Sequence, residues 1–234
     1  MDKLLITGHK GYIGSNLWDF LEDDFELYGL DFPDNILQID SFPDVDAVIH
    51  LASFAGVRRS IKEPHRYFEN NVGIASTIFD NYAHIPILSA SSSSVKELKS
   101  PYSMSKYAIE QMNKSVIHMR FHTVWGGKGY RPDMLFGLAK EDKLTFITDQ
   151  KRDYTRVEDV CSAIVVMLNN YWKLEGHAVD VGYGKPKSNV DFLKEIGYTK
   201  KLPIIQKIEG VPESDSTCAN SDLLRALGWK PKYE

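Results

Sequence analysis

The 234-residue sequence has little cysteine: only Cys161 and Cys218. Two thiols so far apart build no disulfide framework, and neither has a second Cys or a His at the close spacing of a zinc site, so no metal is expected. Long apolar runs are missing as well. Every hydrophobic stretch is broken by charge short of the roughly 20 residues that cross a bilayer. Excess positive charge is also absent, since 28 Lys and Arg stand against 32 Asp and Glu, a net charge of −4. Proteins that neutralise nucleic-acid phosphates carry a basic face, so neither nucleic acid nor membrane is an expected partner. The opening residues reach a turn signal at Gly8, too early for a secretory leader. With 43% hydrophobic and 26% charged residues, the composition fits one soluble domain with a small appendage in the reducing cytoplasm.

What is present is alternation. Strand-length apolar runs at Leu4–Thr7, Leu27–Leu30, Ala47–Leu51, Ile85–Ser89 and His118–Val124 are separated by amphipathic segments, notably Tyr67–Tyr82 and Tyr102–Val116. Such alternation predicts an α/β fold with a doubly wound parallel sheet covered on both faces. Later segments read as a helix over Arg156–Asn170, a strand over Ala178–Val181 and short helices over Asn189–Ile196 and Ser221–Leu227. Residues 1–125, with a return around 150–182, are expected to form the sheet domain. Residues 126–234 mainly form a small, discontinuous C-terminal lobe that binds substrate. The run Ser91–Ser94 reads as a loop at the carboxyl end of a buried strand.

After the first strand, Thr7-Gly8-His9-Lys10-Gly11-Tyr12-Ile13-Gly14 opens a helix. Glycines at 8, 11 and 14 suit a tight reversal, close approach of a pyrophosphate to the backbone, and close helix–strand packing. This is the dinucleotide fingerprint of a Rossmann-type sheet. The second strand ends at Asp31, placed to accept ribose hydroxyls, and no Lys or Arg lies between Lys10 and Arg58. A carboxylate repels a 2′-phosphate, so NAD is expected rather than NADP. Lys10 is the one cation able to reach a 2′-phosphate.

Tyr102 and Lys106 stand at i and i+4, on one face of a helix. Tyrosine ordinarily ionises near pH 10, too high for a neutral-pH base. A unit positive charge about 4 Å away is worth about 4 kcal/mol at an effective dielectric near 20. That predicts a Tyr102 acidity raised by up to about three pH units before desolvation takes some back. Tyr183 also precedes a lysine by four residues, Lys187, but Pro186 intervenes and removes that pair from consideration.

The glycine loop, the serine run and the Tyr102/Lys106 pair together resemble an extended short-chain dehydrogenase/reductase, the group of nucleotide-sugar epimerases and dehydratases. The resemblance runs in order along nearly the whole chain. It includes His50-Leu51-Ala52-Ser53, Asn71, Arg152-Asp153-Tyr154 through Glu158-Asp159, and Leu227-Gly228-Trp229-Lys230-Pro231. Ala55–Ile61, Ala90–Val95 and Arg120–Gly126 with Arg131-Pro132-Asp133-Met134 look most like UDP-glucuronate 4-epimerases. The 4,6-dehydratases carry an acidic pair beside the catalytic hydroxyl where this chain has serines, which argues against dehydration.

The resemblance implies Tyr102, Lys106 and Ser92 as catalytic residues. It implies Gly8, Gly11, Tyr12, Ile13, Gly14, Asp31, Asp40, Leu51, Ala52, Ser53, Asn71, Ala90 and Phe121, with Tyr102 and Lys106, as contacts of NAD. Ser91, Ser92, Ser93, Thr123, Arg131, Arg152 and Arg58 are implied for a UDP-sugar or another nucleotide sugar. The three arginines also read as plain surface charges and the serines as a polar loop. The implied reaction is inversion at C4 through a 4-keto sugar. Rival readings are a reductase or epimerase-reductase of the same fold, since His9-Lys10 superficially resembles the NADPH-using GDP-fucose synthases, and a non-catalytic NAD-binding regulator. Three connections are shorter than the family's: Asp31 to Asp46, Ser92 to Tyr102 and Lys106 to Arg120. Lys96-Glu97 replaces the usual Tyr-Gly. The Tyr102 helix commonly contributes to a dimer interface in this group, so its shortening leaves a homodimer an open expectation.

Overall fold

The chain begins with a strand because Leu4, Leu5 and Ile6 are apolar on successive faces, and all three are fully buried. In a computed structural model describing residues 2–31, 36–39, 41–202, 204–206 and 213–234, this run is β1 (Lys3–Thr7). It is followed by α1 (Tyr12–Leu21), β2 (Glu26–Leu30), β3 (Ala47–His50), α2 (Val57–Lys62), α3 (Pro64–Tyr67), α4 (Gly73–Asn81), β4 (Ile87–Ser92) and α5 (Pro101–Met112). Next come β5 (Ile117–Phe121), β6 (Thr123–Trp125), α6 (Leu135–Lys140), β7 (Phe146–Thr148), β8 (Lys151–Arg152), β9 (Tyr154–Arg156) and α7 (Val157–Asn169). The remainder is α8 (Tyr171–Leu174), β10 (Ala178–Val181), β11 (Lys187–Ser188), α9 (Asn189–Glu195), β12 (Ile204–Gln206) and α10 (Asp222–Ala226).

Six parallel strands form one sheet in the order β10-β5-β4-β3-β1-β2. Leu4, Ile6, Ala47, Ile49, Leu88, Ile117 and Met119 face a layer containing α1 and α7. Leu5, Val48 and Ile87 face the opposite layer, with Ile78 of α4 and Ile109 of α5. Helix α7 buries Val157, Val160, Cys161, Ile164, Met167 and Leu168, the i, i+3, i+4, i+7 stripe of a helix laid on a sheet. Each fully buried apolar side chain of this size contributes about 1.5–3 kcal/mol. Strand order reverses between β1 and β3, and the crevice at their carboxyl ends is the place where this architecture binds ligands. Three two-stranded ladders, β6-β9, β7-β12 and β8-β11, build the lobe above it.

Three boundaries differ from the sequence reading. Ser91 and Ser92 belong to β4 rather than to a loop, because pairing with β5 continues to Ser92 opposite Phe121. The run 118–124 splits at His122: Phe121 pairs within the main sheet while Thr123 pairs with Tyr154 of β9. The helix expected over 67–82 is broken by a π turn, Phe68–Val72. The short connection expected between Asp31 and Asp46 holds, among the described residues, a 3-10 turn, Ile36–Gln38, as its only regular element, and β2 is the sheet edge.

Candidate active site

The glycine loop sits at the switch point. Gly8 has φ +75°, and a Cβ there would lie 2.7 Å from the Ala52 amide nitrogen, so only glycine fits between the ends of β1 and β3. A Cβ on Gly14 would lie 2.1 Å from the Gly8 carbonyl oxygen, which fixes how closely α1 approaches the loop. No side chain caps the first turn of α1, whose N-cap is Gly11, so its amides and the positive end of its dipole face the loop. This cradle, which any side chain would fill, suits a dinucleotide pyrophosphate. Asp31 accepts a 2.7 Å hydrogen bond from the Lys10 amide, joining the loop to the end of β2. His9 packs on Trp18 and over Gly29, where a Cβ would strike the imidazole. Tyr12 donates to the Gly126 carbonyl at 2.8 Å, and Ile13 packs on the core. The Ala52 amide donates to Thr7 Oγ1 at 3.3 Å, and Leu51 packs on the core. Asp40 lies outside the described residues.

Facing this loop, α5 starts at a reciprocal cap: Ser103 N donates to Ser100 Oγ at 3.1 Å and Ser100 N to Ser103 Oγ at 3.0 Å, with Pro101 in the first turn. The cap puts Tyr102 in the first turn and Lys106 one turn later. Lys106 is buried, and its ammonium donates to Ser53 Oγ at 2.7 Å and to the Ala90 carbonyl at 2.8 Å. Burial pulls it down to about 7, against the pull of the Glu110 carboxylate. Tyr102 has the Ser92 hydroxyl near its phenol and packs edge-to-face on Tyr67, 6.2 Å between centroids. Desolvation holds its phenol above the ordinary value, outweighing the opposing influence of Ser92 and the Arg131 charge. This corrects the expectation that Lys106 acidifies Tyr102: among the protein's own groups Lys106 is turned to Ser53 and Ala90, and burial dominates.

The π turn has a purpose here. Asn71, fully buried within it, accepts from the Phe54 amide at 2.7 Å and donates to Ser105 Oγ at 3.1 Å, tying the loop after β3 to α5. Ser92 Oγ caps a 3-10 turn, Ser93–Lys96, accepting from Ser94 N at 3.2 Å. Ser91 points elsewhere, donating to Glu110 Oε1 at 2.5 Å, while Glu110 grips Arg120 with both oxygens at 2.9 and 2.6 Å. Phe121 ends β5 beside Ser92, and the Thr123 amide donates to the Asp153 carbonyl at 3.0 Å.

The arginines divide. Arg131 comes within 3.5 Å of where a Gly56 Cβ would stand, and its charge is felt at Tyr102 and Tyr67; Asp133 holds its fork at 2.6 and 3.1 Å. Arg58 and Arg152 instead converge on Glu213, at 3.0 and 3.7 Å, and Arg152 also donates to the Ser214 carbonyl at 2.8 Å. The two aspartates after Arg152 are organisers. Asp153, fully buried, accepts from the amides of Tyr183, Gly184 and Ala219 at 2.8–3.0 Å. Asp159 accepts from the Tyr183 hydroxyl and the amides of Lys232 and Tyr233. Sequence reasoning missed Tyr67 and Glu110. Glu110 follows Lys106 by four residues, a spacing that was available; Tyr67 had no comparable signal.

Residues 4–182 match the NAD dependent epimerase/dehydratase family. The chain belongs to that family. It is 25% identical to a UDP-glucose 4-epimerase of Streptococcus mutans, over 98% of this chain and 83% of the relative. It is 26% identical to a UDP-glucuronate 4-epimerase of Thermodesulfobacterium geofontis, over 84% of this chain and 80% of the relative. Its fold superimposes with a TM-score of 0.86 on a UDP-glucuronic acid 4-epimerase of Bacillus cereus in complex with UDP-glucuronic acid and NAD, at 24% identity, covering 99% of this chain and 95% of that one. The family is NAD-dependent, and the glycine cradle and buried lysine fit that cofactor. Among the described residues no helix is long and apolar enough to cross a membrane, and no cluster of His, Cys, Asp or Glu is arranged to hold a metal.

Proposed function

We propose that this chain is an epimerase that inverts C4 of a nucleotide sugar, UDP-glucuronate before others, through a 4-keto intermediate. The observation that carries the reading is Tyr102, close to Ser92 at the carboxyl end of β4 and on the same helix face as a buried Lys106 tied to the switch-point loop. Gly8, Gly11 and Gly14 admit the pyrophosphate of NAD, Asp31 takes the adenosine ribose and Lys106 the nicotinamide ribose. Bound NAD supplies reversible hydride acceptance at C4.

Tyr102 takes the proton of the sugar's 4-hydroxyl, which Ser92 orients, and returns it when the opposite face is reduced. The Tyr102 phenol must lose its proton within a buried site, and the charge of the neighbouring Arg131 favours that loss, as an oxidised nicotinamide held beside it would. Arg131 and Arg152 bind the diphosphate, for which a guanidinium fork is suited. Ser93 and Thr123 lie toward the sugar, with hydroxyl donors for its ring substituents.

The test is incubation of the purified protein with UDP-glucuronate, UDP-glucose and UDP-N-acetylglucosamine, followed by chromatography of the products. A C4 epimer formed from UDP-glucuronate without net NADH release is expected. A reduced sugar, or no product with NAD bound, would replace this reading with the reductase or the binding protein.

A further inference from the structure

Residues 127–130, between β6 and α6, lie in no helix or strand and make no backbone–backbone hydrogen bond among the described residues. Gly126, Gly127 and Gly129 have φ of +84°, +63° and +61°. Glycine loses more conformational freedom on ordering than any other residue, so such a loop needs fastening from outside. Helix α1 supplies it. The Asn16 side-chain amide donates to the Lys128 carbonyl at 2.9 Å while its oxygen accepts from the Lys128 amide at 3.1 Å, a two-way grip on the backbone of one residue. The second N–H of that amide donates to the Tyr12 carbonyl at 2.7 Å, which fixes the side chain against its own helix. A Cβ on Gly127 would lie 2.4 Å from Asn16 Oδ1 and 2.4 Å from Val157 Cγ1, so the loop is pressed between α1 and α7. Lys128 also pairs with Asp19 at 2.6 Å, but both side chains are half-exposed, and pairs of that kind contribute little.

What this loop carries is Arg131, three residues beyond Lys128. Three residues reach at most about 11 Å, so the place where Lys128 is pinned limits where Arg131 can stand. On the far side, Tyr130 packs edge-to-face on Phe136 of α6 at 5.2 Å, and a Cβ on Gly137 would stand 2.3 Å from the Arg131 carbonyl oxygen. The Arg131 backbone is thus held between two fixed points, α1 behind it and α6 ahead, with its guanidinium beside Gly56 and its charge felt at Tyr102. Helix α1 opens at Gly11, so the element whose first turn faces the dinucleotide cradle also fastens, one turn later, the loop that presents Arg131.

We propose that Asn16 is a positioning residue for Arg131: by gripping Lys128 it holds the loop so that the guanidinium meets the diphosphate of the nucleotide sugar. The proposal rests on the reading of the site as a nucleotide-sugar epimerase in which Arg131 binds that diphosphate. Asn16 acts through Arg131 alone and takes no part in the proton and hydride steps.

The test measures the affinity of the NAD-loaded protein for UDP by calorimetry, and kcat and KM with UDP-glucuronate. Asn16→Ala is expected to weaken UDP and raise KM at least about fivefold, with kcat and NAD affinity kept within about threefold. Lys128→Ala, which keeps the backbone groups that Asn16 grips, is expected to change either value less than about twofold. In an Arg131→Met background, adding Asn16→Ala is expected to cost less than about twofold, because the arginine through which it acts is gone. An unchanged UDP affinity in Asn16→Ala, a loss as large with Arg131→Met as without it, or an equal loss of NAD affinity overturns the proposal and leaves the epimerase reading intact. A wild type that binds UDP without epimerising UDP-glucuronate overturns the epimerase reading, and the UDP affinities still decide the role of Asn16. A wild type that binds no UDP overturns both. If Asn16→Ala fails to fold, the decision passes to Asn16→Asp, which keeps the shape but offers the Lys128 carbonyl no donor, and the same loss is expected there.

Discussion

Lys106 donates a 2.7 Å hydrogen bond to Ser53, which binds the helix carrying Tyr102 to the loop that follows β3. The same contact places an ammonium where water is scarce, and burial draws its proton affinity down to about 7 from an ordinary 10.5. Between those values the unfolded chain binds a proton that the folded chain does not. Stability on this account therefore rises with pH from about 7 toward 10.5, by up to about 1.4 kcal/mol per pH unit, and is flat below that window. Lys106→Met is expected to remove this slope, read as the wild-type-minus-variant difference in urea unfolding free energy between pH 7 and 9.5.

Tyr102→Phe is expected to lower kcat on the nucleotide sugar by about 10²–10⁴-fold, the range of a general acid–base group, while NAD affinity changes little. Rapid-quench turnover and a fluorescence titration with NAD read the two separately. Turnover within threefold of wild type would remove the phenol from the role of base.

At the glycine loop, Gly14→Ala puts a methyl 2.1 Å from the Gly8 carbonyl oxygen. The backbone on both sides leaves no room to yield, so a loss of about 1–3 kcal/mol in stability is expected, together with loss of NAD binding. Asp31→Asn instead keeps an acceptor for the Lys10 amide and removes only the charge. The NAD-to-NADP affinity ratio is then expected to fall about tenfold, or about 1.4 kcal/mol, by parallel titration.

A polar row crosses the sheet under Lys106: Thr7, His50, Ser89 and His118 are in register on β1, β3, β4 and β5. Burial lowers His50 to about 3 and His118 to about 4, from 6.5. Both rings are neutral in the folded state where the unfolded chain would protonate them. Stability falls as pH drops below 6.5, by up to about 2.7 kcal/mol per unit near pH 5. His118→Gln is expected to halve that slope in unfolding titrations between pH 4.5 and 6.

Glu213 bridges Arg58 and Arg152, two of the cations proposed for substrate. A diphosphate arriving at Arg152 competes with this carboxylate. Both side chains of the Arg152–Glu213 pair are mostly shielded from solvent; with the competing charge removed, Glu213→Gln is expected to lower KM for the nucleotide sugar about fivefold, or about 1 kcal/mol. An unchanged or higher KM would mean that these arginines do not meet the phosphates.

The parts of this site that could be read in the sequence are those set by local spacing. Three glycines after an apolar strand, and a tyrosine four residues before a lysine behind Ser100-Pro101, specify their own geometry. The direction of a side chain could not be read the same way. Ser91 and Ser92 are neighbours, but strand alternation turns one to Glu110 and the other to Tyr102. Lys106 turns to Ser53 rather than to Tyr102 because a residue 53 positions earlier reaches it, and spacing carries no record of that. Glu213, arriving from the C-terminal segment, and the Lys96–Asp180–His122 group were invisible for the same reason.

Asp153 gathers amides from two lobe segments and sits directly after Arg152, while the carbonyl of the same residue receives the Thr123 amide from the strand extending beyond β5. One residue thereby splices sheet and lobe into a single stiff frame at the mouth of the crevice. In the C4 inversion proposed above, both faces of a ketone must be presented to one hydride site, so something has to turn over. With the frame splinted here, that rotation would fall to the ligand's own phosphate and glycosidic torsions, and the space around the sugar would set its pace.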